Sequence, residues 1–427
     1  MVPAVALRPV SGAARWCARL GVGALVCLQA ACERRPEPMP PASAPETVVR
    51  DSAGVRVVRA GFAADASGPL LAVLDTLLDG ADPEHEGTIG LVAVQPFSDS
   101  SLVLFSAAGP SLLRYDGRPL RGAPVGEAGP DPGMYGARAT VLPYGRDTLV
   151  LWDPAASRVS WFTSQGLSVH AVLEYPRARL GAVSGVWRDG TVIGMTAVPP
   201  GEQQPGVSRA PSALLRFAPG GALRDTLVVF RGAERVVQVA GVGGMREMAP
   251  VRAVNVPFGR STLWTVGASS VLLLDTEGCH VERRDLTGAL TLRLDLACAV
   301  EAVTDTDRER FLGEVLSTAR SRSDSSVRRQ FVDDATFPPS KATASGLLTD
   351  AWDRIWVRLP VNGLADDWRW WVFEADGTPI TTLQVGREWR IASVQDRDLL
   401  VVATDREDAP PVVARLSLPA VLHQLRN

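Results

Sequence analysis

Lysine is almost missing from this 427-residue chain: Lys341 is the only one among 44 basic residues. A Walker-type phosphate loop needs a Gly-Lys pair, so that class of nucleotide site is excluded. Histidine is scarce as well. His85, His170, His280 and His423 are scattered, and no His-Glu-x-x-His or Gly-x-Ser-x-Gly occurs. Five cysteines include no zinc-type pair. Basic runs are lacking, and the net charge is only −3, which argues against nucleic acid as a partner. The apolar run Leu20–Ala31, "LGVGALVCLQAA", is too short to span a bilayer as a mature helix. "DPEHEG" (Asp82–Gly87) is an acidic surface loop rather than a metal site. No cofactor and no metal are expected.

What is present begins with an export signal. Arg8, Arg15 and Arg19 make a positive n-region, and Leu20–Ala31 is an apolar core ending in small residues before Cys32. Small residues directly before a cysteine are similar to a bacterial lipobox, with Leu28 standing four residues ahead of Cys32. Residues 1–31 are therefore expected to be a signal peptide, and Cys32 the lipidated first residue of the mature chain. Residues 32–48 then form a proline-rich tether, "ERRPEPMPPASAPE", of the kind that stays extended.

Residues 49–427, with ample apolar material for a core, read as short β-runs separated by turns. One strand type recurs six times after a polar turn: "LVLFS" at Leu102, "LVLWD" at Leu149, "TVIGM" at Thr191, "TLWTV" at Thr262, "RIWVRL" at Arg354 and "LLVVATD" at Leu399. A second hairpin follows each of the first five, its turn ending in Gly117, Gly166, Gly221, Gly288 or Gly377. Glycine suits such turns because it adopts positive φ without steric cost. Spacing that begins near 50 residues and grows by insertion is the mark of four-stranded propeller blades. The sixth copy lacks its outer strand after "PVVARLSL". An N-terminal strand, "VRVVRAG" or "PLLAVLDTLL", is expected to complete it, because an open edge leaves backbone groups unpaired. The fold class expected is thus all-β: a six-bladed β-propeller closed by an N-terminal strand. A helical insertion, about 304–332, falls between blades four and five, with Thr306 and Glu309 as its capping box.

"VRDSAGVRVV" (Val49–Val58) and "RYDGRPLRGAPVGEAGPDPGMY" (Arg114–Tyr135) resemble the six-bladed, NHL-like β-propeller lipoproteins of bacterial envelopes, in which a phrase of the form "fDxxGrflr…GrxGeGPGEF" follows the first blade. Asp131 and Pro132 stand where that family has a tighter Gly-Pro-Gly, and Met134-Tyr135 replaces Glu-Phe. The resemblance implies the fold and an envelope location.

In an antiparallel blade, two sets of connections lie at opposite edges. Here one set is short throughout, and the other holds Gly126–Gly136, Thr196–Pro211, Arg231–Pro250, the helical insertion and Pro360–Trp368. Long loops on a rigid scaffold carry binding residues. The candidates on that face are Glu127, Asp131, Tyr135, Arg177, Arg179, Arg246, Asp366, Asp367 and Trp368. The function expected is a lipid-anchored binding module for a protein or small ligand, monomeric and without catalytic residues. The alternative is a metal-dependent lactonase-like or lyase-like propeller, for which Asn255 is the one candidate axial ligand. Cys279 and Cys298 are expected to form a disulfide in an oxidising compartment, across a two-residue turn at Gly288-Ala289 that would set them directly opposite.

Overall fold

The computed structural model describes residues 46–423 except 64, 65, 67, 80–90, 98–100, 107–110, 117–120, 125, 126, 130, 132, 133, 137, 143, 145–147, 164, 165, 176–179, 198–205, 240–250, 318–321, 334, 361–366 and 404–411. The signal-peptide, lipidation and tether expectations for residues 1–45 lie outside the described residues.

Three strands come first: β1 (Val48–Ser52), β2 (Val55–Ala60) and β3 (Val73–Asp79). Blade one follows as β4 (Leu91–Pro96), β5 (Leu102–Ser106), β6 (Ser111–Asp116) and β7 (Arg121–Pro124). A small parallel pair, β8 (Glu127–Ala128) and β9 (Met134–Tyr135), leads to blade two. That blade holds β10 (Thr140–Leu142), β11 (Leu149–Asp153), β12 (Arg158–Thr163) and β13 (Gly166–Val172). Blade three is β14 (Leu180–Val186), β15 (Val192–Ala197), β16 (Gly206–Phe217) and β17 (Leu223–Val239), with β18 (Val251–Asn255) added at its edge. Blade four is β19 (Thr262–Val266), β20 (Ser270–Asp275), β21 (His280–Asp285) and β22 (Leu290–Leu296). Blade five is β23 (Gly346–Thr349), β24 (Ile355–Arg358), β25 (Asp367–Phe373) and β26 (Pro379–Gly386). Blade six is β27 (Trp389–Val394), β28 (Asp398–Ala403) and β29 (Val412–Ser417), completed by β3, which pairs antiparallel with β29.

Each blade packs against a neighbour on both faces, so its second strand is a nearly continuous apolar run; all five residues of β11 are buried. The two-residue period survives in which neighbour each side chain meets. Ile355 and Val357 pack toward blade four, while Trp356 between them packs toward blade six. Leu399 and Val401 face blade five, and Leu400 and Val402 face blade one. Six hydrophobic clusters result, one at every boundary between neighbouring blades, including the boundary between the last and the first. The ring is closed.

Gly117 lies outside the described residues; Gly221 and Gly288 serve those boundaries. Gly221 has φ +96°, and a Cβ there would stand 1.9 Å from the carbonyl oxygen of Val172, on the outermost strand of the preceding blade. Gly288 meets the Leu227 carbonyl in the same way, at 2.7 Å. Positive φ and lack of room therefore select glycine together.

Three details differ from the sequence reading. "TLWTV", grouped by sequence with the strands that follow the polar turns, is instead the inner strand of blade four, paired with β20, and the run before it, "VRAVN", is β18, paired with the far end of β17. The segments 206–211 and 231–239, read as loop, are strand instead. They extend β16 and β17 into a projection that β18 joins. The insertion contains two helices, α1 (Asp305–Ser317) and α2 (Arg322–Asp333). Its cap is Thr304, not Thr306: the Thr304 hydroxyl accepts from the Asp307 N–H, and the Asp307 carboxylate accepts from the Thr304 N–H.

The hairpin β1–β2 lies on the outer edge of blade four, β2 running parallel to β22. The chain then passes blade five, where Leu71 and Gln384 bond through their backbones, before reaching blade six as β3. The N-terminal segment thus runs along three blades in succession. Cys279 and Cys298 are joined by a disulfide with Cα atoms 6.2 Å apart. They are not directly opposite. A four-residue turn with a bulge at Arg283/Arg284 sets Cys279 against Leu296 and brings Glu282 opposite Arg293, an attractive pair. Among the described residues no helix is long and apolar enough to cross a membrane.

Candidate functional site

Strand direction fixes the two edges of the ring. The tight turns at 187–191, 218–222, 267–269, 286–289, 374–378 and 395–397 share one edge. The helical insertion, the β16–β17–β18 projection, the β8–β9 pair and the β24–β25 connection share the other. Because β2 is parallel to β22, Ala60 ends on the long-loop edge, where its carbonyl accepts from the Ala297 N–H. Antiparallel β1 therefore begins there, so Val48 also lies on that edge.

The projection is pinned to blade four by charge. Arg209, its side chain 3% exposed, donates to Asp275 and Glu277 at 3.1 and 2.9 Å. Arg260 holds Glu234 at 2.8 Å and Glu277 at 3.2 Å, and Arg231 reaches Glu277 at 2.6 Å. Burial would raise the Glu234 carboxyl, but the hydrogen bonds and charge of Arg260 hold it below the usual carboxylate range. Three cations and three anions cancel here, leaving a rigid strut rather than a site.

The sequence candidates fall into three groups. Arg177, Arg179, Arg246 and Asp366 lie outside the described residues, as does the side chain of Glu127, whose backbone forms β8. Asp131 is exposed. Tyr135, expected among the binding residues, is buried between blades one and two. Its hydroxyl accepts from the Leu112 N–H at 2.6 Å, and its ring meets Phe105 and Phe162 edge-on. Burial pushes its hydroxyl pKa up. A ring this large in an apolar boundary serves packing.

Asn255, considered as an axial ligand, belongs to β18 on the projection. It is exposed, and its carbonyl oxygen accepts from Arg235 at 3.0 Å. It is not on an inner strand. Among the described residues no cluster of three or more His, Cys, Asp or Glu is placed to hold a metal ion.

Asp367 and Trp368 open β25 on the long-loop edge, and here the structure brings together residues that the sequence reading did not link. The guanidinium of Arg358, the last residue of β24, lies 4.4 Å from the Trp368 ring centroid and 5.8 Å from that of Trp370. Arg387, in the turn after β26, lies 5.7 Å from Trp368, whose indole N–H donates to the Arg387 carbonyl at 3.2 Å. Trp370 itself is buried between blades five and six. Burial pushes the Arg358 guanidinium pKa down, the direction expected of a charge removed from water. The one sequence signal was an arginine closing "RIWVR" ten residues before a tryptophan cluster on the next strand.

No protein-family model matches the chain, and no curated protein matches it. Solved structures do. A protein from Bacteroides fragilis assigned as exported aligns at 8% identity, covering 85% of this chain and 99% of that one, with a TM-score of 0.45. A member of the DUF4221 family from Bacteroides vulgatus aligns at 10% identity over 87% of this chain and 97% of that one, TM-score 0.40. Virginiamycin B lyase from Staphylococcus aureus aligns at 9% identity over 80% and 98%, TM-score 0.38. TM-scores this low do not decide a function, and the propeller stands on its own six sheets.

Proposed function

We propose that this chain is an exported, lipid-anchored β-propeller of the NHL-like envelope kind, and that its long-loop face binds a protein or small ligand at the cell envelope. The observation that supports this reading most is the asymmetry of the ring. Among the described residues one edge carries tight turns, while the other carries the projection, two helices and the Arg358–Trp368–Arg387 group. A closed ring of six packed boundaries is a rigid base, and elaborated loops on such a base are where recognition residues accumulate.

The anchor fits the same reading. Fifteen residues separate Cys32 from Val48. Fully extended polyproline-like chains of that length span at most about 45 Å. Val48 sits on the long-loop edge, so the chain enters the ring on the same side as the proposed binding face.

Fractionation and capture test the proposal. Cys32→Ala is expected to move the protein out of the membrane fraction, because stable attachment depends on acyl chains. Retention after a high-salt wash contradicts the anchor. Alanine at Arg177, Arg246 and Trp368 should weaken capture of partners from envelope extracts with little change in melting temperature. Undiminished capture contradicts the placement of the site.

A further inference from the structure

Several buried arginines among the described residues pair with a carboxylate. Arg354 has Asp350 at 2.6 Å, and Arg209 has Asp275 and Glu277. Arg358 has none: no carboxylate among the described residues stands within ion-pair distance of it. Its Nε donates to the Ser345 hydroxyl at 3.0 Å and its Nη2 to the Ser345 carbonyl at 2.7 Å, both neutral acceptors. Nη1 has no partner among the described residues.

The guanidinium is nevertheless held firmly. The Ser345 hydroxyl that accepts from it donates in turn to the Leu359 carbonyl at 3.0 Å. Gly346, directly opposite on β23, leaves the space: a Cβ there would stand 3.0 Å from Arg358 Nε and 3.4 Å from Cζ. Trp368 covers one side. A cation has been partly withdrawn from water, oriented and left without a counter-charge among the described residues. Burial without a partner costs free energy that an incoming anion recovers.

We propose that Arg358, Trp368 and Arg387 form a binding site for a carboxylate carried on a flat, apolar body. This rests on the binding-face reading above and names the chemistry of its ligand. A planar carboxylate matches the guanidinium fork, with Nη1 of Arg358 as the first donor. The Trp368 indole supplies the flat wall. Arg387 adds a second cation beside the same indole, 5.7 Å from the ring centroid. Its own ion pair with Glu314, at 3.7 Å between two exposed groups, is weak and easily exchanged.

Calorimetry and ligand-observed NMR with the mature chain test this, using 2-naphthoate and its neutral counterpart 2-naphthamide as probes. Naphthoate should bind at least tenfold more tightly than naphthamide. Arg358→Gln should abolish that preference, Arg358→Lys should restore part of it, and Trp368→Ala should weaken both probes. Equal affinity for the two probes in the wild-type chain overturns the proposal, and so does an undiminished preference in a folded R358Q. If R358Q does not fold, the wild-type comparison still decides. Should neither probe bind while Trp368→Ala still impairs capture of envelope partners, the carboxylate proposal fails and the binding-face reading stands. If capture is unaffected too, both fail.

Discussion

Leu78 stands directly opposite Val413. A residue near the start of the described chain and one near its end thus share a ladder, and both are buried in the boundary between blades six and one.

Deleting β3, Val73–Asp79, should therefore open the ring. The edge of β29 would lose its partner strand, and an unpaired apolar edge recruits other chains. Size-exclusion chromatography of the deletion variant is expected to show aggregates in place of a cooperatively unfolding monomer. Removing the tether residues 33–45 should leave the melting curve unchanged.

Gly221 and Gly54 share a positive φ, at +96° and +81°, but only Gly221 lacks space. Ala at position 54 meets nothing within 4 Å and should cost about 1 kcal/mol, the penalty for a left-handed non-glycine residue. Ala at position 221 adds a collision with the Val172 carbonyl and should cost about 3 kcal/mol or more. Denaturant titrations of the two variants separate conformational cost from crowding. Equal losses would mean that the boundary between blades two and three yields.

Asp307 gives the insertion a pH dependence with a definite sign. Burial alone would raise its pKa. The backbone and hydroxyl of Thr304, and the Lys341 ammonium at 3.0 Å, outweigh burial and lower it to about 2. The folded value lies below the unfolded one. Its stabilisation is therefore fully present above about pH 4 and is lost as pH falls toward 2. A shift of this size corresponds to about 2 kcal/mol. The stability gap between wild type and Asp307→Asn should be open at pH 7 and pH 4.5 and shrink by about that amount at pH 2. A gap independent of pH would contradict the assignment.

How far the sequence could be read follows from which features are local. Alternation, turn glycines and the missing sixth outer strand are local, and they carried the propeller and its closure. Choosing the partner of "VRAVN" is not local. That run alternates like an inner strand, and only the unexpected length of β17, 17 residues, provides its actual neighbour. The register of β21 on β22 shifted for a similar reason, since one bulge and two further turn residues are invisible in a Gly-Ala pair. Tyr135 looked like a loop residue because the two-residue strand carrying it is too short to leave a pattern. Arg358 offered only its place at a strand end ahead of the tryptophan cluster. An arginine at a strand end is ordinary, and its lack of a counter-charge among the described residues emerges only when Ser345, Gly346 and Trp368 converge on it.

Site-specific photo-crosslinking on living cells tests the central claim, that recognition occurs on the long-loop face, most directly. A photo-reactive side chain replaces Asp131 or Asp367 on that face, or Thr287 in a tight turn on the opposite edge. Discrete adducts are expected from positions 131 and 367 and none from 287. Adducts from position 287 alone, or equally from all three, would contradict it.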